Sequence, residues 1–467
     1  MAKHRLVTIG DSITQGVRSG AAVDGQLSWP MFLARALGVA DTFRTPTVAS
    51  AAYGLPINLE QLVDDVLARY GDALGLLELP AAALRVRSWM DRLEDHWEEG
   101  TTGLPDHDGP FHNLGILGFD LRDALSLTAA ECDRRIPARR QRDELISQIP
   151  EAAGHRVARS VLAGSAPDNT VFDIARDFAA DGGIEVLVVM LGANNALQVA
   201  SELELFWTGA DYDDLDGKAK YTLWQPQHFA AEYAGVVEAA AAVGAEHTVL
   251  ATVPKVTIAP LARGVGDKMA EGSRYFEYYT RVWIDDDDFD PRQDDHITHR
   301  DARDADQAID AYNETIRAAA EANGWILFDQ SSLLDSMATR RYVDDPAARP
   351  VGWTGYAWPS PLDDLDPVLG TRFFESENGR RVAGGIFSLD GIHPTVVASA
   401  LIAHELAVLL AENGVQVGRV DLQAALDADR LNSHPPEIVD SVLDILGWLD
   451  QLADVIGAIT HPFRTDA

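Results

Sequence analysis

With a single cysteine, Cys132, this 467-residue chain can form no intrachain disulfide and no cysteine-based zinc cluster. Cys132 stands between Glu131 and Asp133, whose charges disfavour a thiolate, so a nucleophilic cysteine is not expected. Lysine is nearly absent (Lys3, Lys218, Lys220, Lys255 and Lys268 alone), leaving arginine to carry the positive charge. No apolar run reaches the ~18 residues that would suggest a transmembrane segment. Lys3, His4 and Arg5 precede an apolar run too short for a signal peptide, and a cytoplasmic protein is expected. The chain has no internal repeat and no low-complexity tract. It also lacks a Gly-x-Ser-x-Gly elbow and a glycine-rich loop ending in Gly-Lys-Ser/Thr, which argues against an α/β-hydrolase and a P-loop nucleotide site.

Acid dominates what is present. Asp and Glu number 73 against 38 Lys and Arg, a net charge of −35 that repels nucleic acid and anionic membranes. Hydrophobic residues make up 46%, enough for a large core. Apolar runs at 6–9, 184–191, 247–252 and 325–328 read as strands, and the run 184–191, β-branched and aliphatic apart from Glu185 and Met190, suits a parallel strand covered on both faces. Helical patterns lie between them: Trp29–Gly38 with Pro30 in the first turn, 59–70, 81–99, 121–127, 139–153 and 396–412, the last stopped by Asn413-Gly414. Such alternation specifies an α/β fold, a mostly parallel sheet with helices on both faces.

Four strand ends carry candidate chemistry. The first strand runs into Gly10-Asp11-Ser12-Ile13-Thr14-Gln15-Gly16, placing a serine hydroxyl at the carboxyl edge of the sheet, where open α/β sheets bind ligands. Taken alone, Gly-Asp-Ser is also ordinary turn and cap chemistry. Gly118 ends the stretch Asn113–Gly118, with Gly115 as a competitor and Gly54 a weaker one. Asn194 in Gly192-Ala193-Asn194-Asn195 offers an amide donor at any pH. In Asp390-Gly391-Ile392-His393-Pro394 a carboxylate three residues before a histidine can hold its Nδ1 proton from one loop. Together these supply a nucleophile, a base, an orienting acid and oxyanion donors.

In order along the chain, these blocks resemble the four motif blocks of the GDSL or SGNH hydrolases, and Trp29-Pro30 after the first block is similar to that family as well. The resemblance implies a three-layer αβα, flavodoxin-like fold, with Ser12 as nucleophile, His393 as base and Asp390 as its partner. It also implies an oxyanion hole of the Ser12 N–H, the Gly118 N–H and Asn194, with no cofactor and no metal. The implied activity is serine-dependent hydrolysis of a small-molecule or lipid ester through an acyl-enzyme. Acyl transfer, carbohydrate-ester deacetylation and a non-catalytic binding role stay open. Asn195 stands where many members of that family carry Asp.

The hydrolase domain is read as residues 1–414, with insertions at about 39–108, 200–245, 256–310 and 336–386, and 415–467 as a helical extension. The extension contains an amphipathic helix over 437–459, with Asp440, Asp444, Gln451 and Asp454 on its polar side and Val442, Leu446, Leu449 and Ile456 on its apolar one. Two stretches, 275–299 and 344–385, read as irregular lids rich in aromatics. The cluster Tyr275, Phe276, Tyr278, Tyr279 and Trp283 either lines an acyl pocket or anchors its insertion. The acidic run Asp285–Asp288 with Asp290, Asp294, Asp295, His296 and His299 lacks the spacing of a twelve-residue calcium loop and reads as a solvated loop.

Overall fold

The computed structural model describes residues 2–463 except 23, 48–53, 72–73, 75–76, 99–106, 138–149, 440–446 and 448–454. Its centre is a five-stranded parallel sheet of β1 (His4–Gly10), β2 (Asn113–Gly115), β3 (Ile184–Met190), β4 (His247–Ala251) and β5 (Ile326–Phe328). The spatial order is β2-β1-β3-β4-β5, the doubly wound order of flavodoxin-like sheets. Successive side chains along a strand face opposite ways, and here both ways lead into core. Leu6, Val186, Val188, Met190 and Val249 pack with the helices Trp29–Ala36 and Val396–Glu412. Val7, Ile9, Leu187, Val189 and Leu250 pack with Val171–Ala180, Pro226–Val243 and His299–Asn323 on the other face. The result is three layers, αβα.

Two regions depart from the reading of the sequence. The stretch 275–299, expected as an irregular lid, holds the strands Phe276–Arg281 and Ile297–Thr298; Phe276–Arg281 pairs antiparallel with Ala262–Lys268 on one side and with Ile297–Thr298 on the other, forming a second sheet. β-Branched and aromatic residues at 276–280 favour that pleated surface. The chain's longest described helix, His299–Asn323, went unread because its buried stripe is mostly small: Ala302, Ala305, Ala308, Ile309, Tyr312, Ile316 and Ala320. Thr298 caps it, accepting from the Asp301 N–H while Asp301 accepts from the Thr298 N–H. The 344–385 segment includes a short antiparallel pair, Glu375–Glu377 with Arg380–Ala383, and Tyr356 Oη donates to Glu405 Oε1 at 2.5 Å. Pro226–Val243 is the helix that links β3 to β4. Of the expected 437–459 helix, the segment Val455–Thr460 is helical; Asp440, Val442, Asp444, Leu446, Leu449, Gln451 and Asp454 lie outside the described residues, as does most of 139–153. Among the described residues no helix is long and apolar enough to cross a membrane.

Candidate active site

The first-block serine sits on a one-turn helix, Ser12–Gln15, that begins as β1 ends. Asp11 caps it, its Oδ1 accepting from the Ile13 N–H at 3.0 Å. Burial pushes the Asp11 carboxyl up to about 6, against the opposing pull of that N–H and of the nearby His393. Gly115 on the adjoining β2 has no room for a side chain, since a Cβ would lie 2.2 Å from the Gln15 nitrogen. Its smallness therefore lets β2 press against the Ser12 turn. Gln15 ties the same two segments together by accepting from the Leu117 N–H at 2.8 Å.

Backbone bonding distinguishes the glycines. Gly115 N–H donates to Asn113 Oδ1 at 3.0 Å, Ile116 N–H to the Gly10 carbonyl at 3.1 Å, and Phe119 N–H to the Ile116 carbonyl at 3.2 Å. The Gly118 N–H has no acceptor among the described residues, and its φ of +78° is a left-handed turn that suits glycine. Gly54 serves elsewhere, its carbonyl accepting from Trp97 Nε1 at 2.6 Å. Asn194 follows β3 in a 3-10 turn, Ala193–Asn195. Its Nδ2 donates to the Phe119 carbonyl at 2.9 Å, which fixes the amide's orientation and leaves a second N–H to spare. The Ser12 N–H, first in its turn, is likewise free of any acceptor among the described residues. Ser12 follows β1 and Asn194 follows β3, so the pair flanks the crevice at the topological switch point.

The last block supplies a tightly built acid–base pair. Ser388 N–H bonds the His393 carbonyl at 2.8 Å and Gly391 N–H the Ser388 carbonyl at 2.9 Å, closing a loop just before Val396–Glu412. Asp390 Oδ2 accepts from His393 Nδ1 at 2.8 Å and from the Gly20 N–H at 2.6 Å. Its Oδ1 accepts from the N–H groups of Ile392 and His393, both at 2.9 Å. Burial pushes this carboxyl upward, yet the His393 charge and these donors together hold it below its ordinary range. His393 is 1% exposed, and its Nε2 is buried with no partner among the described residues. That nitrogen is the one a neighbouring hydroxyl would use.

Ser12 opens onto a cavity of about 110 Å³. Asp11, Asn194, Ile392 and Pro394 also line it, so the serine turn, the β3 turn and both neighbours of His393 meet at one space. Its far wall is apolar: Leu333, Leu334 and Met337 from one helix face Ala398, Leu401 and Ile402 from another. No sequence motif marked these lining residues, because an apolar face toward a cavity and one toward a core have the same periodicity. The aromatics expected as alternative acyl-pocket lining, Phe276, Tyr279 and Trp283, line a different cavity.

Two further features surround Gly118 that the sequence did not signal. Lys218 is buried, with Nζ 2.6 Å from Asp120 and 2.9 Å from Asp123, the two residues of the capping box that starts the helix after Gly118. Burial and the Asp120 charge push Asp123 up to about 7. The segment after Val455–Thr460 lies across the same turn: a Cβ at Gly118 would come 2.6 Å from Pro462 Cγ, and Phe463 packs on Phe119 and His155. Cys132 is buried, and desolvation followed by the Asp133 and Asp123 charges drives its thiol well above the usual range. Around Asp290, the side chain accepts from the Arg292 N–H and Gln293, and His296 packs edge-on to Tyr278. Among the described residues no group of His, Cys, Asp and Glu is placed to hold a metal ion.

The chain matches no protein-family model, no curated protein and no solved structure.

Proposed function

We propose that this chain is a serine ester hydrolase of the GDSL or SGNH type. The observation that carries the reading is the buried Asp390–His393 pair, whose unpartnered Nε2 belongs to a loop that lines, through Ile392 and Pro394, the same apolar cavity as Ser12. Ser12 Oγ attacks the ester carbonyl carbon and passes its proton to His393 Nε2. Asp390 keeps the Nδ1 proton in place and stabilises the imidazolium without taking that proton. Negative charge gathers on the carbonyl oxygen, toward which the Ser12 N–H, the Gly118 N–H and the spare Asn194 N–H are the available donors. Collapse expels the alcohol, protonated by His393, and leaves the acyl group on Ser12 with its chain in the apolar cavity. Water, activated by the same histidine, releases the acid.

A fluorophosphonate probe and a ladder of p-nitrophenyl esters test this. Labelling and turnover are expected in the wild type and lost in Ser12→Ala. A folded wild type that neither labels nor turns over any ester of the ladder refutes it. Ser12 is 5% exposed and His393 1%, a dry setting that favours transfer to an alcohol as a second reading. Product that depends on added alcohol at constant water distinguishes transfer from hydrolysis.

A further inference from the structure

A cavity of about 950 Å³, far larger than the one at Ser12, lies on the other side of a thin wall. Ala259 lines both spaces, and Met337 and Ala338 face one each. Arginines from separate segments, Arg263, Arg274, Arg340 and Arg372, line the larger one. Arg340 is the central case. It donates to the Gly264 carbonyl at 2.7 Å and lies 4.4 Å from the centre of the Phe276 ring, whose other near cation is Lys268 at 5.7 Å. Among the described residues no carboxylate reaches salt-bridge distance of it. Burial, and then the positive charges of Arg263 and Arg372, lower its pKa. A half-buried cation beside two like charges is costly unless an anion joins them.

Acidic side chains at this cavity do not fill that role. Asp285–Asp288 and Glu375 stand exposed at its edge, where solvent screens them, and Asp390 is already held by His393 Nδ1. Asp286 pairs with Arg263, and Asp344 with Arg372; these acids are 49% and 44% exposed, so both are weak, openable rim pairs. Arg274 donates to Tyr342 Oη at 3.2 Å and has no carboxylate partner among the described residues. Guanidinium groups drawn from three separate segments suit a tetrahedral oxyanion, which has oxygens for each, better than a planar carboxylate that one fork saturates.

We propose that this cavity binds a phosphate or sulfate group of a small molecule, with Arg340 as the principal ligand and Arg263 and Arg372 beside it. The proposal does not rest on the Ser12 chemistry, and its test is a binding measurement that stands whether or not the protein hydrolyses esters. Calorimetric titration at fixed ionic strength with inorganic phosphate, inorganic sulfate and phenyl phosphate is expected to give saturable one-to-one binding of at least one of them. Arg340→Gln weakens that binding at least tenfold. Arg340→Lys, which keeps the charge without the fork, also weakens it. Arg372→Gln, a half-exposed rim variant, weakens it less, and Arg300→Gln on an exposed helix start leaves it unchanged. Phenyl phosphate binding more tightly than the inorganic ions assigns the site to an organic phosphate, whereas equal affinities assign it to the free anion. Absence of saturable binding by all three probes, or an equal loss in Arg300→Gln, overturns the proposal.

Discussion

Asp390→Asn is the sharpest test of the proposed mechanism, because it exchanges a single heavy atom and leaves the loop's shape intact. The amide oxygen can still accept from the Ile392 and His393 N–H groups at the Oδ1 position. At the Oδ2 position an NH₂ now meets two donors, the Gly20 N–H at 2.6 Å and His393 Nδ1 at 2.8 Å. The histidine relieves its half of the conflict by moving its proton to Nε2, which turns that nitrogen from an acceptor into a donor toward Ser12. The Gly20 N–H is left facing a donor, a buried loss of ~1–3 kcal/mol. Replacing an orienting aspartate by asparagine in a serine triad costs ~10⁴ in kcat through this tautomer change. The same order is expected here in p-nitrophenyl ester turnover, with KM little altered and a folded protein by circular dichroism. Asp390→Ala removes the conflict along with the orientation and is expected to fall as far or further. If Asp390→Asn turns over within tenfold of wild type, His393 does not act as a base held by Asp390, and the mechanism fails.

Four other outcomes follow from particular contacts. Asp11 is an acid raised from 3.8 to about 6 on folding, so the native state holds its proton where the unfolded chain releases it. That stabilisation is complete below about pH 4 and disappears as pH rises through about 6, a swing of ~3 kcal/mol at most. Asp11→Asn should gain stability relative to wild type between pH 4.5 and 7 in urea melts; a difference independent of pH contradicts the shift. Leu401→Trp fills the cavity of about 110 Å³, and turnover of butyrate and longer esters should drop at least ~10-fold relative to acetate; an unchanged chain-length profile places the acyl group elsewhere. Gly118→Ala drives a Cβ into Pro462 at φ +78°, and displacing its N–H should lower kcat by ~10²–10³ with KM less affected. Equal kcat would remove Gly118 from the oxyanion hole. Lys218→Met strands Asp120 and Asp123 without their buried cation and should cost ~3–5 kcal/mol of unfolding free energy in urea melts; an unchanged stability would mean that neither acid needs it.

How much could be read from the chain depended on how local the physics is. The parallel sheet was legible because β3 is apolar at every position but Glu185 and each neighbouring strand ends in turn chemistry. Asp390 and His393 share one six-residue loop, and the Ser12 turn is set by its own cap, so both were visible as short motifs. The choice between Gly115 and Gly118 was not local. It rests on which N–H groups neighbours consume: Asn113 takes one, Gly10 the next and Gln15 a third. His299–Asn323 hid behind its alanines, since a stripe of small residues carries little hydrophobic contrast against so many charges. Lys218, 98 residues after Asp120, has no pattern to betray it.

The placement of the two cavities bears on why the site is so enclosed. In the proposed mechanism an ester entering the switch-point crevice sets its carbonyl oxygen near Ser12, Gly118 and Asn194, with the chain on one side and the alcohol on the other. The apolar space at Ser12 suits a chain, because among the described residues lining it Lys255 and Gln330 are the only long polar side chains. Pro462 and Phe463 cover Gly118 on the oxyanion side. The wall at Ala259 and Met337–Ala338 is shared with the arginine-lined cavity, whose lining also includes Leu389 and Asp390 from the base-bearing loop. An anion held there would share a cavity wall with the element that positions His393. In the proposed mechanism this arrangement makes occupancy of the arginine site felt through the Asp390 loop, even when the anion and the ester belong to different molecules. The prediction is specific: phosphate at saturating concentration changes kcat for an uncharged ester in wild type and does not in Arg340→Gln. Identical phosphate responses in the two proteins would mean that the two cavities, though they share a wall, act independently.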